Sequence, residues 1–195
     1  MNYYISDLHL GHKNIIRFDG RPFGSIDEMK ETITKNWNKA VTPQDTVYIL
    51  GDFCWGTEKE WIEIVQKLNG HKVLIRGNHD IKHMSSLLIR LFRDITDYKE
   101  ITDNKKHVIM SHYPMLLYKG AYNPNCYMLC GHIHNTREND FLNKWRNELQ
   151  RTWKKPADNM GQIYNVGCMM PYMDYTPRTL NEIVVGANKE VEKIR

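Results

Sequence analysis

NYYISDLH, residues 2–9, decides how this chain is read: a short apolar run stops abruptly at two side chains that bind metal, Asp7 and His9. The pattern recurs four more times. TVYILGD (46–52) ends in Asp52, KVLIRGNH (72–79) in Asn78 and His79, HVIMSH (107–112) in His112, and CYMLCGHIH (126–134) in His132 and His134. Apolar, β-branched runs of this length read as buried strands. In an α/β sheet the loops leaving the carboxyl ends of the strands gather at one edge, where ligands bind. Donors from all five loops are therefore expected to converge. A lone Asp-x-His is more often a satisfied turn, and it is the repetition that gives the pattern weight.

Between these runs the apolar spacing turns helical. Ser25 with Glu28 forms a capping box ahead of a stripe made by Ile26, Met29, Ile33 and Trp37. Thr57 with Glu60 repeats the box ahead of Trp61, Ile62, Val65 and Leu68, and Gly70 is placed to end that helix. With strands at 2–6, 46–50 and 72–76 the order is β-α-β-α-β, the alternation that builds a parallel sheet. A long loop is expected from the first strand to Gly24. After Asp80 a short helix near 84–92 precedes strands near 95–101 and 107–111, whose turn at Asp103 and Asn104 reads as a hairpin. The second half should thus be richer in antiparallel pairing. Strands near 127–130, 162–166 and 180–185 would complete one mixed sheet, or two sheets packed face to face.

The chain has 195 residues, 41% hydrophobic and 26% charged, which suits one globular domain over 1–195. The N-terminus enters a strand at once, and no apolar run approaches the ~18 residues of a membrane span. The expectation is a soluble cytoplasmic protein with no membrane partner. Four cysteines are too few and too irregular for a disulfide scaffold. Cys126 and Cys130 beside His132 and His134 allow a zinc-knuckle reading, but YMLC is a continuing apolar run, and small buried residues explain it better. A net charge of +4 is compatible with anionic substrates and is no nucleic-acid signature by itself.

Residues 137–155 read as an amphipathic helical insertion. Phe141, Leu142, Trp145, Leu149 and Trp153 fall at helical spacing among Arg137, Lys144, Arg146, Arg151, Lys154 and Lys155. Such a helix could grip nucleic acid, or pack its stripe on the domain or another subunit and leave a solvated basic face. Packing is the preferred reading.

Asp, His and Asn donors suit a hard or borderline divalent ion. Seven donors exceed the three or four that one catalytic ion takes. Two ions about 3.5–4 Å apart, sharing a carboxylate, would use them all and clamp a phosphoryl group during hydrolysis.

Taken together, Asp7-x-His9, Gly51-Asp52, Gly77-Asn78-His79-Asp80, His112 and Gly131-His132-x-His134 stand in the order of the calcineurin-like metallophosphoesterase superfamily, which the chain resembles over nearly its whole length. The resemblance implies an α/β fold, a four-layer α/β/β/α sandwich of mixed sheets with the metal site at the carboxyl ends of the strands. It further implies that Asp7, His9 and His134 hold one ion, that Asn78, His112 and His132 hold the other, and that Asp52 bridges them. Mn²⁺ is the first choice, with Fe, Zn, Ni or Co as alternatives. A metal-bridging hydroxide would attack a phosphate ester, and His79 would be the unligated general acid. Gly51, Gly77 and Gly131 sit where a sharp turn or close backbone approach is needed. Asp80 would orient His79 or cap the helix that follows.

The segment DLHLGHKNIIRFDGRPF (7–23) is similar to small stand-alone bacterial and bacteriophage members, and Arg178 to Ile183 resembles their closing strands. Within that subgroup His12, Asn14, Arg17 and Arg21 are candidates to touch substrate phosphate. Phosphoprotein phosphatases of the superfamily carry a further Asp and Arg after Gly-Asp, where this chain has Phe53, Cys54, Trp55 and Gly56. Arg76 is the nearby match. A phosphoprotein substrate is thereby disfavoured, and a small phosphomonoester, a nucleotide or a phosphodiester is preferred. The alternatives are a nuclease or other nucleic-acid-processing phosphodiesterase, and a non-catalytic binding module.

Overall fold

In the computed structural model, which describes residues 1–152 and 161–194, the apolar runs pair into two four-stranded sheets. The first contains β1 (Asn2–Ile5), β2 (Thr46–Ile49), β3 (His71–Ile75) and β4 (Asp94–Thr96), side by side and all parallel. In register, Ile5 lies opposite Ile49, and Ile49 opposite Leu74. The second contains β5 (Tyr98–Asp103), β6 (Lys106–Ser111), β7 (Cys126–Cys130) and β8 (Ile163–Asn165). Only the β5–β6 hairpin is antiparallel, through a two-residue turn in which Asn104 and Lys105 adopt φ of 48° and 66°. Among the described residues the expected excess of antiparallel pairing in the second half comes down to that hairpin and an isolated antiparallel bridge between Arg178 and Tyr4.

Alternation within the strands builds the layers. Val108 and Met110 of β6, Tyr127 and Leu129 of β7 and Tyr164 of β8 join the main core shared with the first sheet. Their neighbours Ile109, Cys126, Met128, Cys130 and Ile163 face a second, smaller core. Two helices, α2 (Ile26–Ala40) and α3 (Glu58–Lys67), close the main core with Met29, Ile33, Trp37, Trp61 and Val65. The smaller core is closed by Leu142 and Trp145 of α5 (Arg137–Thr152). The result is the four-layer α/β/β/α sandwich that the resemblance implies. Of the two expected capping boxes, Thr57 and Glu60 bond reciprocally, whereas at Ser25 only the cap forms: Glu28 N–H donates to Ser25 Oγ at 3.1 Å, and Glu28 Oε2 accepts from Gly24 N–H at 2.7 Å instead of from Ser25. Trp37 is fully buried and its Nε1–H donates to Asn69 O at 3.0 Å. Trp37→Ala should therefore lower the unfolding free energy by about 3–5 kcal/mol in a denaturant titration, since it opens a cavity and orphans an acceptor.

Several expectations need correction. The long first loop contains a short helix, α1 (Ile15–Asp19), and the helix near 84–92 shrinks to α4 (Ser86–Ile89). The strand expected at 95–101 is two strands: Ile95 pairs in the first sheet, and the chain crosses at Asp97 to enter the second. Most notably, 180–185 is not a closing strand but the start of a helix, α6 (Leu180–Ile194). Thr179 accepts from Glu182 N–H at 3.4 Å while Glu182 Oε2 accepts from Thr179 N–H at 2.9 Å, and Leu180, Ile183 and Ala187 are buried at helical spacing.

The 137–155 segment packs as preferred, with two differences. Phe141 points to solvent at 63% exposure, whereas Arg146 leaves the basic face, buried over the Tyr164 ring at 5.0 Å. Trp153, Lys154 and Lys155 lie outside the described residues.

Candidate metal centre

Three of the five strand ends, those of β1, β2 and β7, hand over to their polar side chains through left-handed turns. Asp7, His9, Asp52, His132 and His134 have φ of 54°, 48°, 51°, 69° and 44°. Non-glycine residues rarely adopt that region, and strain of this kind gathers at functional sites. The turns reverse so sharply that loops from both sheets touch. Gly51 has φ of 85°, and a Cβ there would strike His112 Nδ1 and the Gly77 backbone. A Cβ on Gly131 would lie 2.5 Å from Ser6 Oγ and 2.6 Å from Asp7 Oδ2.

These approaches assemble two clusters. Asp7, His9 and His134 form one, and Asp52, His112 and His132 the other; within each, the potential ligand atoms all lie within 4.8 Å of one another. Asp52 stands between them: its Oδ2 is 3.5 Å from His9 Nε2 and 3.6 Å from His112 Nε2. Asn78 joins the second cluster, with Oδ1 at 3.0 Å from His112 Nε2. All seven residues expected to hold metal are thus brought together.

The surroundings aim these groups. His112 Nδ1–H donates to Leu50 O at 2.8 Å and His134 Nδ1–H to Asp19 Oδ1 at 2.7 Å, so each ring turns Nε2 inward. Asp7 is fully buried; it accepts from Ser6 Oγ–H at 2.6 Å and from His132 N–H at 3.0 Å. Burial raises its carboxyl pKa against the pull of His134 and His112. Burial, then His134, drives His9 down to about 2, and burial also lowers His132, reinforced by His112. For His134, burial is outweighed by the bond to Asp19 and the charge of Asp7, and its pKa is raised. The ring nitrogens of His9 and His134 face each other at 3.3 Å. Lone pairs and carboxylates aimed at one another are repulsive unless cations lie among them, so the donor set fits divalent metal.

The other expected residues divide. The His79 ring is exposed, 5.7 Å from the His9 ring and 5.3 Å from that of Trp55, while its backbone N–H donates to Asp52 Oδ1 at 2.9 Å. His12 stacks on Trp55 at 4.5 Å between ring centroids; burial, then His79, lowers its pKa. Arg76 lines a cleft of about 370 Å³ with Asn78, His112 and Tyr113, held by Asp97 at 2.9 Å. Asn14 and Arg17 are exposed around α1, with no side-chain hydrogen bond or ion pair among the described residues.

Arg21 is corrected. Its guanidinium is buried and fully engaged, donating to Asp19 Oδ2 at 2.7 Å, Asp7 O at 2.8 Å and Leu8 O at 2.8 Å, so it braces the first ligand loop and has no donor free for phosphate. Asp80 is corrected too. It neither orients His79 nor caps α4, whose cap is Ser85. Its carboxylate accepts from Gly77 N–H at 2.7 Å, Phe53 N–H at 2.8 Å and Asp52 N–H at 3.1 Å, tying the second and third ligand loops together. Neither cluster includes a cysteine; Cys126 and Cys130 face the smaller core, and no zinc knuckle forms. Asp19, which ties His134 to Arg21, was passed over in the sequence, although it lies within the 7–23 segment.

The chain is similar to known proteins. The calcineurin-like phosphoesterase pattern matches residues 3–166. An uncharacterised protein of Methanocaldococcus jannaschii, MJ1445, is 48% identical over 80 residues, 40% of this chain and 46% of that protein. The gene 66 protein of Mycobacterium phage D29 is 30% identical over 128 residues, 57% of this chain and 63% of that protein. The chain thus spans about half the length of the curated relatives it matches. Among solved structures, AQ665 of Aquifex aeolicus, a protein of unknown function, matches with a TM-score of 0.64 and 27% identity, covering 100% of this chain and 99% of that one. With the family pattern running from β1 through β8, over residues 3–166, this chain belongs to the calcineurin-like phosphoesterase family.

Proposed function

We propose that the chain is a binuclear-metal-dependent phosphoesterase that hydrolyses a phosphomonoester or phosphodiester of a small molecule or nucleotide. The observation that supports this is the placement of Asp52 between two clusters of ligand atoms. Asp7, His9 and His134 would hold one divalent ion, Asn78, His112 and His132 the other, with Asp52 shared and Mn²⁺ the first choice. Such a pair supplies a nucleophile at neutral pH and offsets charge on the phosphoryl oxygens.

The remaining work falls to this chain's own side chains. Asp19 and Leu50 O fix the His134 and His112 rings, and Asp80 holds the Asp52 and Gly77 loops in register. His79 donates the proton that the leaving oxygen needs. Arg76 exchanges Asp97 for a substrate oxygen, since an exposed ion pair contributes at most about 1 kcal/mol. His12 stands on the His79 side of the rim. Free, buried cysteines fit a reducing, cytoplasmic setting.

Metal reconstitution tests the reading. Chelated protein should hydrolyse no aryl phosphate, regain turnover with Mn²⁺, and bind two equivalents by elemental analysis. At one hundred times Kd each ion should add about 2.7 kcal/mol to stability, seen as a higher unfolding temperature. Full turnover in metal-free protein would overturn the binuclear mechanism.

A further inference from the structure

Large aromatic rings left in water need a reason, and here they ring the metal centre. Phe18, Trp55 and Tyr113 are 66%, 44% and 50% exposed. Tyr113 sits against His132, with ring centroids 4.5 Å apart, and against His112 at 5.1 Å. On the opposite flank a row of rings runs outward from His79: Trp55 at 5.3 Å, His12 at 4.5 Å from Trp55, and Phe18 at 6.1 Å from His12. Neither Phe18 nor Trp55 belongs to either hydrophobic core. The backbone that carries Trp55 is nevertheless anchored. Its N–H donates to Leu10 O at 2.7 Å, the adjoining Cys54 bridges to Leu10, and its carbonyl occupies the space a Cβ on Gly11 would need.

We infer that Trp55 is a stacking platform for a planar ring carried by the leaving group of the substrate, so that the ester is of the nucleoside type. The inference rests on the phosphoesterase reading and narrows its substrate class. Placement is the reason. His79 faces the leaving oxygen in that reading, and the exposed Trp55 is the ring beside His79, so a group attached to that oxygen comes within reach of Trp55. A fixed aromatic face recognises any base by stacking, without reading hydrogen bonds. The cleft that Asn78 and His112 also line carries Arg76 and Lys82 beside Asp80 and Asp97, and its two cations suit the phosphoryl end.

The test compares ligands with and without the ring. Calorimetry on the Mn²⁺-loaded protein would measure hydrolysis-resistant phosphonate analogues of AMP and of ribose 5-phosphate. Wild type should prefer the AMP analogue about tenfold, the factor expected for a single base–aromatic stack. Trp55→Ala should erase that ratio, and Trp55→Phe should retain most of it. Equal affinities in wild type, or a ratio unchanged by Trp55→Ala, overturns the inference. A short oligothymidylate distinguishes the source of the ring: a larger Trp55→Ala effect on it than on the AMP analogue places the ring in a nucleic-acid strand, and an equal one in a free nucleotide. Hydrolysis of nitrophenyl phosphate by the same samples separates the two readings. Turnover without ring preference sinks the stacking site alone, whereas ring preference without turnover keeps it and sinks the phosphoesterase reading.

Discussion

Asp52→Asn should cost the protein one of its two Mn²⁺ equivalents and at least ~10³ in kcat with an aryl phosphate. The side chain is buried, with Oδ2 almost equidistant from His9 and His112, at 3.5 and 3.6 Å. Asparagine keeps the shape but removes the negative charge, and it turns one lone-pair oxygen into an N–H donor directed at a cation. Losing a shared carboxylate weakens both sites, and several kcal/mol of phosphoryl charge stabilisation correspond to that rate loss. The fold should survive, because the amide oxygen can still accept from His79 N–H as Oδ1 does at 2.9 Å. Elemental analysis and far-UV circular dichroism read the two outcomes separately. Two ions per chain with a near-wild-type rate would mean that Asp52 bridges nothing.

The strand-end donors were legible because each element announced itself locally. A buried parallel strand needs a continuous apolar run, and the residue after its last turn is the one presented at the sheet edge. The helix caps at Ser25 and Thr57 were legible for the same local reason. The α6 helix was missed although Thr179-x-x-Glu182 is the same box as Thr57-x-x-Glu60. Ile183, Val184 and Val185 outweighed it, because β-branched residues read as strand when the helical spacing of Leu180, Ile183 and Ala187 is not weighed against them.

The supporting residues were illegible for a different reason. Asp80 lies beside His79 in sequence, but its carboxylate serves the backbone of Gly77, Asp52 and Phe53, partners that only the fold brings near. Burial pushes its pKa up to about 6 against those N–H donors. Arg21 looked like a phosphate ligand because arginine so often is one. Its true partners are two backbone carbonyls and Asp19. A charged side chain's role depends on whether its donors are already satisfied, which spacing does not reveal. Trp55 was noticed only as a departure from another pattern, and its place beside His79 emerges from the packing of the Leu10 and Cys54 backbones.

His79→Ala should separate proton transfer from metal binding. Its ring stands close to His9 and Trp55 yet belongs to neither ligand cluster, and its contact with the centre is made by the backbone, whose N–H reaches Asp52 whatever the side chain. The variant should therefore retain both metal equivalents while turnover falls by about 10²- to 10⁴-fold, the range for a lost general acid. The loss should be smallest for nitrophenyl phosphate, because nitrophenolate departs with little protonation, and largest for alkyl phosphates, whose alkoxide cannot leave unprotonated at neutral pH. The ratio of mutant to wild-type rates across a series of leaving groups is the deciding measurement. A uniform loss would instead give His79 the task of stabilising charge on the phosphoryl oxygens. Loss of metal would make it a support for the Asp52 loop, and His12, the next histidine along the row of rings, would become the candidate acid.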